Sequence, residues 1–271
     1  MKISKKDALI WFEFFSILPE DEEVMTKQQE IVYATFAQIE ATIDYRNDTL
    51  MSEITGLKTL KNRTFFVGNE SKFPKGCRSC LLGTGLSAIR KTNKCNLKCK
   101  FCYDYGEIED MPPIGEGMWE IGGTKFYEKD IDLLLSIHQK PTGISYVYLE
   151  PFMEIEKYYS VIRKFSDAGV YQHLYTNGTL ASEETLKALG EAGLDEIRFN
   201  LGATNCSDKV IENIVIAKKY IKNVGIETPM TPEFFKAFFE KKQAILDTKL
   251  DFINCAELHL NENNIDNYYG E

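Results

Sequence analysis

The sequence predicts an α/β protein built as a partial (β/α)6 TIM-like barrel behind a helical N-terminal region. Three observations support this: β-rich runs alternate with helical runs from about residue 86, capping residues and glycines separate them, and the first 60 residues are helical in pattern. Strands that alternate with helices form parallel βαβ units with right-handed crossovers, and six units make a partial barrel. We therefore predict a helical cap over residues 1–75 and a barrel over residues 76–271.

The N-terminal region is predicted to contain two helices. Residues 5–17 form an amphipathic stretch that Pro19 closes, and the acidic residues at 21–23 suit the start of a second helix because they favour its dipole. No Gly or Pro lies between Glu20 and Thr55, and apolar residues recur at helical spacing. We expect the second helix to run, with breaks, toward Leu60.

Six strands and five helical runs make up the predicted barrel. Ser182, Ser207 and Pro232 are typical of helix starts. Gly169 and Gly193 fall where helices should end. The strands are predicted at 86–91, 144–149, 170–176, 196–201, 223–228 and 252–258, and the helices at 126–139, 154–168, 182–192, 208–222 and 232–247.

The overall charge and hydropathy exclude two classes of partner. The net charge is −9 and the pI is near 5.1, whereas nucleic-acid binding requires clustered Lys and Arg. No apolar run approaches the roughly 20 residues that span a bilayer. Because we also find no secretory signal, we expect a soluble, cytoplasmic protein that binds neither nucleic acid nor membrane.

Three cysteines are the most informative feature of the chain. Cys95, Cys99 and Cys102 have the spacing C-x3-C-x2-C. Three thiolates can hold three irons of a [4Fe–4S] cube and leave the fourth iron without a protein ligand. A structural zinc site or a disulfide is the alternative. Zinc usually takes four ligands, and the absence of a signal peptide argues against a disulfide.

This run, with aromatic Phe101 before the last cysteine, resembles the cluster loop of the radical S-adenosylmethionine superfamily. The resemblance implies that the open iron binds the amino and carboxylate groups of S-adenosylmethionine. It also implies reductive cleavage to a 5′-deoxyadenosyl radical, which removes a hydrogen atom from the substrate. In a barrel of this kind the chemistry collects at the C-terminal ends of the strands.

Two strand ends resemble cofactor-binding motifs of that superfamily. Tyr148-Leu149-Glu150-Pro151 lies where the superfamily often has Gly-Gly-Glu-Pro, whose backbone binds the methionine amino group. Here Tyr148 and Leu149 replace both glycines, and the backbone contact survives this replacement only if neither position needs a positive φ. The alternative interpretation of these four residues is an ordinary turn from strand to helix. Asn177 lies in a Thr-Asn-Gly turn that resembles another cofactor contact, although Asn-Gly favours a sharp turn by itself.

The later strands supply further candidates. Glu196, Arg198 and Asn200 alternate onto one face of their strand, so Arg198 and Asn200 are candidates for the cofactor's carboxylate and ribose. An outward-facing, salt-bridged row is the alternative. The ends of the last two strands should face substrate or adenine, and they carry Glu227, Glu257 and His259. His259 is a candidate substrate-site group, with a structural role as its alternative.

A second cysteine pair lies upstream of the first strand. Gly76-Cys77-Arg-Ser-Cys80 resembles an element of uncharacterised relatives of the glycyl-radical and pyruvate formate-lyase activating enzymes. With Cys206 and Cys255 this pair could complete a second iron or zinc site. The alternative is that these thiols are small buried hydrophobes.

Basic residues crowd around the cysteine triplet on an otherwise acidic chain. We interpret them as a docking patch for an acidic reductant such as flavodoxin or ferredoxin, because opposite charges speed encounter. A solvated rim is the alternative. The patch consists of Arg90, Lys91, Lys94, Lys98 and Lys100.

The predicted function is hydrogen abstraction from an amino-acid-like or peptide-like substrate, either a small molecule or a peptide, by a radical enzyme. Two alternatives remain. One is activation of a glycyl-radical enzyme, and the other is a non-catalytic iron–sulfur electron carrier. A carrier would have a fully ligated cluster, and the missing fourth cysteine near the triplet argues against it.

Overall fold

The computed structural model describes residues 27–61, 64–85, 88–104 and 114–268. These residues belong to two units. The described residues up to Lys72 form one, and Phe73–Tyr268 form the other. The predicted helix at residues 5–17 lies outside the described ranges.

The first unit contains one long helix and a β-hairpin. Helix α1 spans Lys27–Ser52, as expected from a stretch without Gly or Pro. Strands β1 (Leu57–Leu60) and β2 (Thr64–Val67) then pair antiparallel. The prediction of a helix running toward residue 60 is therefore wrong beyond α1, where Gly56 turns the chain with a φ of 77°.

The second unit is a parallel-rich sheet covered by helices. Its elements are α2 (Lys75–Leu82), β3 (Ile89–Arg90), β4 (Met118–Ile121), β5 (Thr124–Tyr127), α3 (Ile131–Ile137), β6 (Gly143–Tyr146), α4 (Tyr159–Asp167), β7 (Tyr171–Thr176), α5 (Glu183–Ala192), β8 (Glu196–Phe199), α6 (Asp208–Ala217), β9 (Asn223–Pro229), α7 (Pro232–Glu240), α8 (Lys242–Asp247) and β10 (Phe252–Ala256). The strands lie in the order β10-β9-β8-β7-β6-β3-β4-β5 and are parallel from β10 to β3. Six parallel strands in sequential order confirm the predicted partial barrel.

A β-hairpin that the sequence analysis missed extends the sheet beyond β3. β4 pairs antiparallel with both β3 and β5, and the helix predicted from residue 126 begins only at Ile131. Gly122 and Gly123 form the turn with positive φ values of 52° and 80°, as a two-residue hairpin loop requires. The buried Trp119 anchors the hairpin, with its ring 5.0 Å from that of Tyr158.

The helix boundaries follow the predicted capping residues. The Ser182 hydroxyl accepts a hydrogen bond from the Thr185 N–H at 3.2 Å at the start of α5. Ser207 caps α6 in the same way. Gly193 ends α5 with a φ of 98°, a conformation that favours glycine. These local signals confirm the predicted βα repeat.

The two faces of the sheet differ in chemistry. Ile197 and Phe199 of β8 are fully buried in the apolar core that the sheet shares with the helices, and Phe199 lies beside Val210 of α6. Side chains alternate along a strand, so Glu196 and Arg198 lie on the opposite, inner face. The inner face is therefore polar.

Helix α2 packs against this inner face, and Gly76 permits the close approach. A Cβ atom on Gly76 would lie 2.4 Å from Nδ1 of His173 and 3.0 Å from Nη2 of Arg198. Further along α2, the Ser79 hydroxyl accepts a hydrogen bond from Thr142 at 2.9 Å. The glycine before Cys77 therefore has a packing role.

We predict that Gly76→Ala destabilises the protein. Alanine normally favours a helix interior by about 1 kcal/mol over glycine, but here its methyl group would overlap the His173 imidazole, and overpacking typically costs about 1–3 kcal/mol. Chemical denaturation measures the free energy of unfolding. Leu82→Ala, at an exposed position of the same helix, is the control and should change it by much less. A Gly76→Ala variant as stable as the parent would contradict this packing.

Candidate functional site

The cysteine triplet lies on the loop of residues 91–104, which we call the cysteine loop. It follows β3 at the C-terminal end of the parallel sheet. Within the loop the structure describes one backbone–backbone hydrogen bond, from the Cys102 N–H to the Cys99 carbonyl at 2.9 Å. Cys95, Cys99 and Cys102 are half-buried free thiols. The loop therefore presents three thiols where a barrel places its reactive groups.

The three thiols influence one another electrostatically. Burial and, to a smaller extent, the neighbouring charges of Cys95 and Cys102 together raise the pKa of Cys99 to about 12. Burial also raises the pKa of Cys95 and of Cys102. A metal group binds thiolates, so its assembly on this loop must release protons.

Backbone N–H groups surround the sulfur atoms. Those of Leu97 and Asn96 hydrogen-bond the sulfur of Cys95 and lower its pKa against the effect of burial. The N–H of Asp104 does the same at Cys102. Hydrogen bonds of this kind are typical of iron–sulfur sites, where they stabilise the charged ligands.

The thiol arrangement fits a cube better than a single ion. Within the described ranges, no three His, Cys, Asp or Glu side chains converge closely enough to share one metal ion. Three separate irons of a cube need no such convergence. All seven cysteines of the chain are described, and each is a free thiol, so the disulfide alternative is wrong. The residues present therefore fit a [4Fe–4S] cluster.

The end of β6 has a strained backbone conformation. Tyr148 and Leu149 have φ values of 85° and 54°, in the left-handed region that costs non-glycine residues about 1–2 kcal/mol each. The condition that neither position needs a positive φ is therefore not met. The chain nevertheless keeps the conformation expected of two glycines. Directly afterwards, the Glu150 N–H donates to the Lys94 carbonyl of the cysteine loop at 3.1 Å.

The Glu150 carboxylate fixes the turn after β7. One oxygen accepts from the Thr176 hydroxyl and the other from the Asn177 N–H, both at 2.7 Å. Burial raises the pKa of Glu150 to about 7, although these hydrogen bonds and one from the Phe152 N–H oppose the shift. Both carboxylate oxygens already have protein donors, so the side chain holds two strand ends together.

Asn177 lies against the cysteine loop. Its amide nitrogen donates to Oδ1 of Asn96 at 2.9 Å, and its own oxygen accepts from the Thr179 N–H and hydroxyl. Asn96 in turn donates to the Thr179 hydroxyl at 2.8 Å. Asn177 thus lies beside the cluster motif through Asn96, which the sequence analysis did not single out, and its predicted contact with the cofactor stays a prediction.

Arg198 is bound by protein groups on the inner face. Only 1% exposed, it is ion-paired with Glu196 and Glu227 and donates to the Tyr175 hydroxyl at 2.9 Å. The polar residues of β8 are therefore salt-bridged, as one alternative predicted, but they are buried on the inner face and do not point outward. Burial, reinforced by Arg198, lowers the pKa of the adjacent His173 to about 3.

Asn200 also has protein partners. Its Oδ1 accepts from the Ala203 N–H at 3.1 Å and from the Thr228 hydroxyl at 2.9 Å, which caps the 3₁₀ turn Leu201–Thr204. Thr228 lies on β9, so the contact ties two strand ends together. Any cofactor contact by Asn200 would have to use its remaining amide nitrogen.

Glu257 and His259, which the sequence analysis placed at the substrate site, are exposed. Exposure alternates along and beyond β10, so Phe252 faces inward, 5.3 Å from the Arg198 guanidinium, whereas Glu257 and His259 share the opposite register. Because side chains alternate with a period of two residues, Glu257 and His259 face away from the inner face of the sheet. The His259 carbonyl accepts a hydrogen bond from Asn264 at 3.1 Å.

The second cysteine pair does not assemble with Cys206 and Cys255. Cys77 lies near Arg198, and burial raises its pKa although the guanidinium opposes this. Cys80 and Cys255 are exposed, whereas Cys206 is fully buried in the apolar core. The four-thiolate site is therefore not formed, and the small-hydrophobe alternative describes Cys206.

The basic patch is smaller than predicted. Arg90 pairs with Glu120 at 2.8 Å, and the buried Lys91 amine donates to the Met118 carbonyl at 2.5 Å. Both residues stabilise the hairpin edge and do not contribute to an open basic surface. The exposed cations of the loop are Lys94, Lys98 and Lys100.

A cavity of about 610 Å³ lies beside the start of the cysteine loop. Lys91, Lys94 and Trp119 line one part of it, and Glu154 and Lys157 line another. Glu154 pairs with both Lys94 and Lys157. None of the three cysteines lines this cavity, so it is separate from the triplet.

None of the helices in the described ranges combines the length and apolar character needed to cross a membrane.

Residues 89–238, more than half of the chain, match the Radical SAM superfamily. The chain belongs to the radical SAM superfamily. Its members are enzymes that use a [4Fe–4S] cluster and S-adenosylmethionine, which agrees with the thiols of the cysteine loop. This excludes the alternative of a non-catalytic electron carrier.

The chain is similar in sequence to several archaeal proteins. A Methanocaldococcus jannaschii protein with the provisional name of a glycyl-radical enzyme activating enzyme is 30% identical over 208 residues, 72% of this chain and 53% of its own. A Pyrococcus furiosus protein named as the cofactor-modifying protein of tungsten-containing aldehyde ferredoxin oxidoreductase is 25% identical, over 62% of this chain and 49% of its own. The chain spans about half the length of these relatives.

A solved structure supports the fold. Streptococcus suis SuiB bound to S-adenosylmethionine superposes with a TM-score of 0.50 at 15% identity, covering 66% of this chain and 42% of SuiB. At this identity the similarity concerns the fold alone. It agrees with the partial radical SAM barrel formed by β3 and β6–β10.

We predict that glycine is better tolerated than alanine at position 148. Both substitutions remove the ring, which lies 5.5 Å from the Arg90 guanidinium, but only glycine relieves the positive φ. The gain of about 1–2 kcal/mol exceeds the entropic cost of glycine, about 0.5–1 kcal/mol. Tyr148→Gly should therefore unfold at a higher denaturant concentration than Tyr148→Ala.

Val147 provides the control because its φ is not positive. There the order should reverse, with Val147→Ala more stable than Val147→Gly. The same order at both positions would argue against strain at Tyr148.

Proposed function

We propose that this radical SAM enzyme cleaves S-adenosylmethionine reductively and abstracts a hydrogen atom from an amino-acid-like or peptide-like substrate. Bound to Cys95, Cys99 and Cys102, the cluster would supply the low-potential electron for that cleavage. The protein would orient the cluster and S-adenosylmethionine relative to each other and exclude side reactions. Cytoplasmic conditions, which keep thiols reduced, would suit seven free cysteines.

The observation that carries this proposal is the set of hydrogen bonds between the cysteine loop and the strand ends. The Glu150 N–H holds the Lys94 carbonyl, and Asn177 holds Asn96. The strained Tyr148–Leu149 backbone lies directly before Glu150. Strain of this kind persists only where surrounding structure enforces it, and it clusters at ligand sites. This supports a role for that backbone in orienting the cofactor's methionine end beside the loop.

The inner face supports a polar substrate. The Arg198 guanidinium pairs with two carboxylates, Glu196 and Glu227, and the Glu227 side chain is 22% exposed whereas that of Glu196 is 1% exposed. The buried guanidinium is therefore occupied, and Glu227 is the accessible member of the cluster. An accessible carboxylate suits a substrate that carries an amine, as amino acids and peptide ends do.

A second candidate function is activation of a glycyl-radical enzyme. It is favoured by the name of the Methanocaldococcus jannaschii relative. In that case the hydrogen atom would come from a backbone glycine of a partner protein.

The two functions differ in the source of the hydrogen atom that the radical removes. A proteome labelled with α-deuterated glycine should transfer deuterium to 5′-deoxyadenosine only if glycine is the substrate. Deuterium that reaches 5′-deoxyadenosine from a deuterated amino acid or peptide added as substrate would support the first function.

We predict that Cys95→Ala/Cys99→Ala/Cys102→Ala abolishes the cluster and the cleavage of S-adenosylmethionine. The measurements are the iron content and brown absorbance after anaerobic reconstitution, and the 5′-deoxyadenosine formed with dithionite. The matched control is Cys80→Ala/Cys255→Ala, which removes two exposed thiols outside the loop and should retain both properties. Cleavage by the triple variant would refute the proposal.

We also propose that Lys98 and Lys100 form the docking surface for an acidic reductant such as flavodoxin or ferredoxin. They flank Cys99, and both are exposed. Lys98→Gln/Lys100→Gln should slow reduction by flavodoxin about two- to tenfold at low salt, because electrostatic steering is lost. The parent rate should fall as ionic strength rises, and the variant rate should fall less.

Lys222→Gln is the control for this prediction. Lys222 is exposed and directly precedes β9, at the end of the strand opposite the cysteine loop. Its loss should leave the reduction rate unchanged at every salt concentration. If Lys222→Gln slowed reduction as much as Lys98→Gln/Lys100→Gln, the rate would depend on the net charge of the protein and not on a docking surface, which would contradict the proposal.

A further inference from the structure

The turn after β10 holds the cysteine loop through four asparagine side chains, which we call the asparagine strap. Every one of these amides donates to a backbone carbonyl of the loop. Asn267 donates to Lys100 at 2.9 Å, Asn264 to Phe101 at 3.2 Å, and Asn261 and Asn263 to Tyr103 at 3.0 and 3.1 Å. The strap thus contacts the residues that flank Cys99 and Cys102.

The strap is itself rigid. The Asn261 N–H donates to Oδ1 of Asn264 at 2.9 Å, and the Asn264 N–H donates back to Oδ1 of Asn261 at 3.2 Å. Asn264 is fully buried, and Ile265 beside it is also buried, with 1% exposure. The amides are therefore held in place before they meet the loop, and little side-chain entropy is lost in forming the contacts.

One peptide group links the strap to a cysteine sulfur. The Tyr103 carbonyl that accepts from Asn261 and Asn263 belongs to the same planar peptide as the Asp104 N–H. That N–H hydrogen-bonds the sulfur of Cys102. Donors at the carbonyl fix the orientation of the peptide plane and polarise its N–H, which strengthens the bond to sulfur.

We propose that Asn261 and Asn263 are positioning residues that raise the reduction potential of the cluster through the Tyr103–Asp104 peptide. The inference rests on the cluster that the superfamily carries. Reduction adds negative charge to the cluster and its sulfur ligands, and an N–H dipole aimed at a ligand sulfur stabilises that charge. Without the two amides the peptide can rotate, the N–H···S bond weakens, and the reduced form becomes harder to reach.

The test is a redox titration of the reconstituted Asn261→Ala/Asn263→Ala enzyme, followed by the EPR signal of the reduced cluster. Its midpoint potential should be more negative than that of the parent. Alanine is used because aspartate would add a charge that lowers the potential by itself. If the double variant retains no iron, each single variant, which leaves one amide on the carbonyl, is titrated instead and should show a smaller shift.

Asn267→Ala is the matched control. Its amide holds the Lys100 carbonyl, whose peptide carries the Phe101 N–H. Among the sulfur contacts described for the three cysteines, none comes from that N–H. This variant removes one amide contact from the loop without touching the Tyr103–Asp104 peptide, and it should keep the parent potential. Asn263→Gln in the Asn261→Ala background restores an amide and should recover part of the shift. An unchanged potential in the double variant, or an equal shift in Asn267→Ala, would overturn the proposal.

Discussion

The cysteine loop has little backbone pairing of its own in the described structure, and the rest of the site is arranged around that constraint. Residues 91–104 contain one described backbone–backbone hydrogen bond of their own, yet they must present three thiols in a fixed geometry. Besides the N–H···S bonds at Cys95 and Cys102, the stabilising hydrogen bonds come from elsewhere in the unit. The end of β6 holds Lys94, the turn after β7 holds Asn96, and the asparagine strap holds the opposite end of the loop. The site is preorganised by its surroundings.

The same surroundings explain why strain is tolerated beside the loop. Two left-handed residues in succession cost about 2–4 kcal/mol together, a large fraction of the stability of a typical domain. Glu150, which follows them, is buried and receives hydrogen bonds from Phe152, Thr176 and Asn177. Those bonds fix the backbone on one side of Tyr148–Leu149, and β6 fixes it on the other. The strained pair therefore has no freedom to relax.

Features encoded over short stretches of chain could be predicted from the sequence. The caps at Ser182 and Ser207, the stop at Gly193 and the spacing of the three cysteines each depend on a few neighbouring residues. The β4–β5 hairpin was missed because its only strong signal, Gly122-Gly123, lies in a stretch whose flanks lack clear alternation. The inward pairing of Arg198 and the outward position of His259 depend on register, which a one-residue shift reverses.

Contacts between distant parts of the chain could not be predicted. Asn261 meets the Tyr103 carbonyl across 158 residues, and an asparagine-rich stretch by itself indicates only a turn. The packing of Gly76 against His173 is also remote in sequence, and the cysteines beside Gly76 directed attention to a metal site instead. A single sequence indicates which residues are unusual, whereas the fold determines what each of them contacts.

The β4–β5 hairpin has a consequence for how the sheet meets other molecules. The hairpin covers the edge of β3, the shortest strand of the parallel series. The backbone N–H and carbonyl groups of β3 on that side are therefore paired with β4 and cannot pair with a strand of another molecule. At the other end of the sheet, β10 pairs only with β9 in the described structure, and its outer face carries the exposed Ile253 and Cys255. The two margins of the parallel series therefore differ. β4 covers the margin beside the cysteine loop, whereas the outer edge of β10, five strands away from β3, has no strand partner in the described structure.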